Sequence, residues 1–180
     1  MIDKIGLPIL TMFGIGYFKY APGTLASLAT CLIYYFLVIT DNFVPNYNYI
    51  IIILIVILIY SIILIDKLAY KFKKKDPNEI VIDEFIGQWI AILSVSYIPT
   101  VGLLLSLMAN QSVLVPYFFE FKLMLAFILF RIFDILKPFP INIIDKKMKN
   151  GLGVMLDDII AGTYAAISVF IILKIISLWL

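Results

Sequence analysis

The chain has 180 residues, 63% of them hydrophobic and 14% charged, with a net charge of +2 and a mean hydropathy of +1.08. Soluble domains are about 45–50% apolar, so this composition excludes an ordinary soluble domain and indicates a single membrane-embedded domain over residues 1–180. The small net charge argues against a nucleic-acid binder, the single cysteine excludes an internal disulfide framework, and the absence of histidine removes Ser-His-Asp, Cys-His and histidine-zinc chemistry.

Residues 1–24 are apolar but interrupted by Gly6, Pro8, Gly14, Gly16, Pro22 and Gly23. These breaks argue against a cleavable leader and predict a short interfacial helix or re-entrant segment followed by a loop. A first span is predicted over Leu25–Ile39, with Thr24 or Ser27 near its cap, and Cys31 within it reads as a small buried hydrophobe. Asp41–Asn48 is a polar turn. Tyr49–Ile65, dominated by isoleucine and leucine, is the second span. The polar stretch Asp66–Glu84 follows and carries Lys67, Lys71, Lys73, Lys74 and Lys75. A third apolar section covers Phe85–Met108, where Pro99 and Gly102 predict a kink or a division. After a polar turn at Asn110–Ser112, a fourth section runs over Val113–Leu136. The fifth is Ile159–Leu180, with Trp179 as an interface anchor and Lys174 snorkelling. The expected fold is an all-α polytopic membrane helix bundle of about five spans, or four plus an interfacial helix.

Sidedness follows from charge. Of the fourteen Lys and Arg, twelve fall in the N-terminal segment or around the loops after the second and fourth sections, the exceptions being Lys122 and Lys174. The positive-inside rule places those regions in the cytoplasm. Ten of the twelve acidic residues, all but Asp41 and Glu120, fall on the same side. The chain is thus expected to be a multi-pass membrane protein with its polar residues at the cytoplasmic rim.

Without histidine, the remaining chemistry belongs to carboxylates, lysines, one arginine and backbone amides, and hard oxygen donors suit magnesium. Asp83 and Glu84 stand where the third section begins, Asp157 and Asp158 where the fifth begins, and Asp134 at the cytoplasmic end of the fourth. Converged, they could hold one or two magnesium ions. The alternative is that acids sit at helix N-termini because the dipole favours them there, which leaves Asp134, in a C-terminal helical part, unexplained. Arg131 and Asp134 are three apart and share a helix face, either as a plain ion pair or as a guanidinium set for phosphate beside a metal-binding aspartate. Lys137 lies where Pro138 and Pro140 stop the helix, placed as a phosphate clamp or as a flanking lysine. Gly151 and Gly153 before Asp157, and Gly23 and Thr24 before the first span, are candidate backbone-amide sites for phosphate oxygens, or ordinary capped turns. Asp66, Asp76, Glu79 and Asp145 read as solvated or lysine-paired.

The motifs APGT, DEFIG, FRIFDILKPFP and GLGVMLDDIIAG, in this order and spacing, closely resemble the bacterial phosphatidylglycerophosphatase A family over nearly the whole chain from Gly14 to Gly162. The resemblance implies a magnesium-dependent phosphatase converting phosphatidylglycerophosphate to phosphatidylglycerol in the membrane. It also implies functional roles for Asp83, Glu84, Arg131, Asp134, Lys137, Asp157 and Asp158. Two positions depart from the family pattern: Ala26 stands where glycine is usual, and Asn150 with Gly151 where the family has a glycine pair. Neither departure removes a charged group. A CDP-alcohol phosphatidyltransferase is the alternative enzyme, but its DGxxAR start is missing. A transporter or scaffold would place charges within the spans, whereas here they gather at one rim. The lipid substrate is the one partner expected; no protein partner is required, and the oligomeric state is left open.

Overall fold

The computed structural model describes residues 2–41, 47–68, 77–96 and 114–179, all helical or in short connections. The helices are α1 (Ile2–Leu10), α2 (Pro22–Asp41), α3 (Tyr47–Leu68), α4 (Ile82–Ser96), α5 (Leu114–Leu136), α6 (Ile141–Lys147) and α7 (Gly151–Trp179), with a 3-10 turn at Ile15–Tyr17. The all-α expectation is met. The expected kink at Pro99 and Gly102, the turn at Asn110–Ser112, most of the turn at Asp41–Asn48, and Lys71, Lys73, Lys74 and Lys75 lie outside the described residues.

Among the described residues, two helices are long and apolar enough to cross a membrane, over Asn48–Leu68 and Gly151–Ile176. At 1.5 Å per residue the 22 residues of α3 extend about 33 Å, matching a hydrocarbon core of about 30 Å. Their outer faces are unsuited to water: Ile52, Ile53, Val56 and Ile59 on α3 are each more than half exposed. An exposed apolar surface of that extent marks a face covered by lipid or by another apolar surface.

Several boundaries differ from the sequence expectation for local reasons. α2 starts at Pro22, three residues early, because proline is preorganised for the first helical position and its missing N–H costs nothing there. Thr24 and Ser27 are therefore inside the helix. α7 starts at Gly151, eight residues before the expected Ile159. Asn150 caps it by accepting a hydrogen bond from the Gly153 N–H at 3.0 Å, and Asp66 at the end of α3 accepts one from the Gly151 N–H at 2.6 Å. This start moves Asp157 and Asp158 from the expected N-terminus into the second turn. α5 ends as expected: Lys137 adopts a positive φ of 43° and the prolines follow. The N-terminal segment folds as α1 and the 3-10 turn, tied to the start of α4 by the Val81 N–H donating to the Leu10 carbonyl at 2.9 Å.

The bundle is organised by the packing of α4 on α7, its most extensive helix contact, with α5 laid across both. Gly87 and Gly162 permit it. A Cβ at Gly162 would overlap the Gly87 carbonyl, and one at Gly87 would lie 2.6 Å from both the Asp158 carbonyl and the Phe130 ring. Ala126, Phe130, Ala161, Ala165 and Val169 are fully buried where α5 packs on α7. A second core joins α1, α3 and the starts of α4 and α7, and a third joins α2, α4 and α5 around Tyr34 and Trp89.

Candidate active site

The chain direction alternates along α2, α3, α4, α5 and α7, so the starts of α2, α4 and α7 meet the ends of α3 and α5 at one end of the bundle. A polar cavity of about 380 Å³ lies there, lined among others by Gly23, Thr24, Asp83, Glu84, Arg131, Asp134, Lys137, Asp157 and Asp158. Four helices contribute to it.

α4 and α7 carry matching local designs. Asp83 and Asp158 each stand four residues, one helical turn, before the glycine at which the two helices touch. Close contact at the glycines therefore draws the two aspartates together. In each acidic pair the first aspartate accepts a hydrogen bond from the backbone N–H of the second residue, at 3.1 Å for Asp83 and Glu84 and 3.1 Å for Asp157 and Asp158. Carboxylate oxygens of Asp83, Glu84 and Asp158 all come within 4.8 Å of one another. Asp134 joins from α5, its carboxyl within hydrogen-bonding reach of Asp158.

The cations flank this cluster. The Arg131 guanidinium pairs with Asp134 at 2.7 Å and its Nη1 also donates to the Ser27 hydroxyl at 3.4 Å. Lys137 is held from two sides, by Asp157 at 2.8 Å and Asp145 at 3.0 Å. Burial disfavours its ammonium, but the hydrogen bonds and charges of Asp157 and then Asp145 outweigh that and raise its pKa above the usual lysine value. Asp145 responds in the opposite direction. Burial would raise its carboxyl, yet Lys137 and then Lys149 hold it below the ordinary carboxylate range.

Gly23 belongs to the site for a steric reason. A Cβ there would overlap the Glu84 carboxylate, with the Arg131 Nη1 3.3 Å away. The first-turn amides of α2, at Gly23 and Thr24, have no partner within their own helix and border the cavity.

The sequence-predicted residues thus divide. Asp83, Glu84, Asp134 and Asp158 converge with Arg131. Asp157 lines the same cavity but is engaged with Lys137. Gly151 and Gly153 do not line the cavity, and their amides are taken by Asp66 and Asn150. Asp66, read as solvated or lysine-paired, is a cap on α7; Asp145, read the same way, is paired with lysines. One residue escaped the sequence reading as a site member: Ser27, read as a cap, accepts a hydrogen bond from Arg131.

The donor set fits a hard divalent cation. Three clustered carboxylates face a single guanidinium, and the Glu84 Oε2 is buried without a partner. Unbalanced hard oxygen donors of this kind are what magnesium takes.

Fold and site define an all-helical protein with long apolar helices and an acidic cavity, flanked by Arg131 and Lys137, whose clustered carboxylates could hold a metal ion. The family described as "Phosphatidylglycerophosphatase A" matches residues 8–173, and the chain belongs to that family; it is a hydrolase of the lipid phosphatase class. It is 32% identical over 154 residues to phosphatidylglycerophosphatase A of Escherichia coli, covering 86% of this chain and 75% of that protein. It is 42% identical over 97 residues to the Haemophilus influenzae protein of the same name, covering 54% of this chain and 47% of that protein. The matched stretch therefore spans about half the length of the Haemophilus relative. A Bacteroides thetaiotaomicron protein named "Putative phosphatidylinositol-3-phosphatase" is 32% identical over 167 residues, covering 89% of this chain and 90% of its own. No solved structure matches the chain.

Proposed function

We infer that the protein hydrolyses the terminal phosphomonoester of phosphatidylglycerophosphate, at the cytoplasmic face of a bacterial cytoplasmic membrane that it crosses about five times. The observation that carries this reading is the meeting of Asp83, Glu84 and Asp158 within 4.8 Å of one another, in a cavity that Arg131 and Lys137 also line.

Asp83, Glu84 and Asp158 are the residues that would hold magnesium, with Asp134 adjacent. When bound, the ion supplies Lewis-acid neutralisation of phosphate charge. The protein's own groups do the rest. Arg131, oriented by Asp134 and Ser27, presents its guanidinium to the phosphoryl oxygens, where a planar fork suits the geometry. Lys137 adds charge stabilisation as negative charge develops, and its two aspartates keep it protonated and in place. Amides of Gly23 and Thr24 offer donors to a phosphate oxygen at the start of α2. A water attacks phosphorus as the ester P–O bond breaks, Asp134 takes its proton, and that proton passes to the leaving lipid alkoxide to give phosphatidylglycerol. Inorganic phosphate is the second product.

The phosphoinositide in the name of the Bacteroides relative supports a second reading, in which the phosphomonoester sits on an inositol headgroup. Phosphate release by the purified full chain from phosphatidylglycerophosphate, and separately from phosphatidylinositol phosphate, distinguishes them. Release from the first lipid, stopped by chelator and by Asp134→Asn, is expected. Release from the inositol lipid alone would reassign the substrate, and undiminished release in chelator would remove the ion from the reaction.

A further inference from the structure

The polar cavity accounts for a phosphate but not for the rest of a lipid, and a second cavity of about 700 Å³ begins beside it. We propose that this groove, between α2 and α3, seats one acyl chain of the lipid whose phosphomonoester enters the carboxylate cavity. The proposal rests on the phosphatase reading above and adds to it a binding site for hydrocarbon.

The two cavities share the first turn of α4. Ile82 and Phe85, three apart and therefore on one face, line the groove, while Asp83 and Glu84 between them line the polar cavity. A molecule placed across that turn is apolar on one side and anionic on the other. The same division holds along α2, where Gly23 and Thr24 border the polar cavity, and Ala29 and Ile33, further along, line the groove.

Length identifies the occupant. From Pro22 at the polar end to Ile33 is eleven residues along α2, about 16 Å at 1.5 Å per residue. That is half of a hydrocarbon core of about 30 Å, one leaflet's depth. The volume lies within the usual range of ligand sites, about 300–1,000 Å³. The Tyr60 hydroxyl and the Met12 thioether apart, the lining side chains are hydrocarbon and aromatic carbon, so the groove offers almost nothing for a polar ligand to bond. It opens sideways: Ile33 and Val56 on its walls are 44% and 60% exposed, facing the surface that lipid covers. At its mouth Phe13 is almost fully exposed, and Tyr17, Phe18 and Tyr20 continue an exposed aromatic run of the kind that sits at headgroup level.

Lipid tails are as apolar as the groove wall, so seating a chain there adds orientation more than affinity. The phosphate is delivered to the carboxylates in register.

The test uses phosphatidylglycerophosphate with a photoreactive diazirine on one acyl chain, in mixed micelles with the full-length protein; labelled positions are mapped and phosphate release is followed in the same samples. Label is expected to concentrate on Ile33, Val56 and Ile57. In Ala29→Phe, which fills the groove, groove label and kcat/KM for the diacyl lipid should both fall about tenfold. Val56→Trp on the exposed wall should act in the same direction with less risk to folding, and Ile171→Trp, exposed on α7, should change neither. Even labelling of the α7 surface at Ile167, Phe170 and Ile171, absence of label in the groove, or groove label that survives both filling substitutions would overturn the groove. If the wild type releases no phosphate, the phosphatase reading fails instead, whatever the labelling pattern.

Discussion

The acidic segments of α4 and α7 look alike in sequence, DEFIG against DDIIAG, yet they sit at different depths in their helices. Asp83 and Glu84 occupy the first turn of α4, where the helix dipole alone favours a carboxylate by about 0.3–1 kcal/mol. Asp157 and Asp158 lie in the second turn of α7, almost wholly buried, at 7% and 3% exposure. There the dipole has largely faded and desolvation opposes charge. Helix position alone therefore accounts least for the α7 pair, while on α4 the buried, unpartnered Glu84 Oε2 makes the corresponding case.

Neutralising the acids tests that comparison most severely. Asp158→Asn and Asp83→Asn should each lower kcat/KM for phosphate release by about 10²–10³-fold, the usual loss when one preorganised electrostatic group is removed. A dipole account predicts instead that Asp83→Asn keeps its activity and loses only stability, so activity and thermal unfolding measured together separate the two. Arg131→Lys should cost about 10²-fold, since lysine keeps the charge but not the planar fork; near-wild-type kinetics would leave Arg131 as merely an ion-pair partner of Asp134.

The glycines come next. Gly162→Ala places a Cβ against the Gly87 carbonyl and should destabilise the bundle by about 1–3 kcal/mol, read by denaturation in detergent, with activity down about tenfold as Asp83 and Asp158 move apart. Gly162→Ala matching the wild type in both measurements would remove the helix contact as the cause of convergence.

The smallest effect belongs to Asp145→Asn, which should reduce kcat/KM about two- to fivefold because Lys137 keeps Asp157 as its second anchor. Its pH signature has a definite sign. Lys137 and Lys149 depress the Asp145 pKa in the fold, so its stabilising contribution is complete above the unfolded value of about 3.9 and is lost as pH falls through the lower folded value. The stability gap between wild type and Asp145→Asn should therefore be present at neutral pH and close in acid; a gap that widened on acidification would reverse the sign.

Much of the polar architecture was legible because it is local. The acidic pairs, the Arg131 and Asp134 spacing, and the prolines that stop α5 all act within one or two helical turns. What was not legible depended on contacts between distant segments. Gly151 and Gly153 looked like an anion loop because nothing nearby claimed their amides; Asp66, 85 residues away, claims one of them. That cap starts α7 early, and the early start alters the meaning of Asp157 and Asp158. The roles of Gly87 and Gly162 likewise appear only when α4 lies on α7, and Gly23 is explained only by the Glu84 carboxylate packed on it. Resemblance supplied the list of candidate residues, and packing sets them in two groups, with Asp157 paired to Lys137 while Asp158 joins Asp83 and Glu84.

The central claim is that acids from α4 and α7 form one cation site. Manganese binding to the purified protein, followed by electron paramagnetic resonance, measures it without reference to turnover. Saturable binding in the wild type, abolished alike by Asp83→Asn on α4 and by Asp158→Asn on α7, is the predicted result. Wild-type affinity in either variant would contradict it.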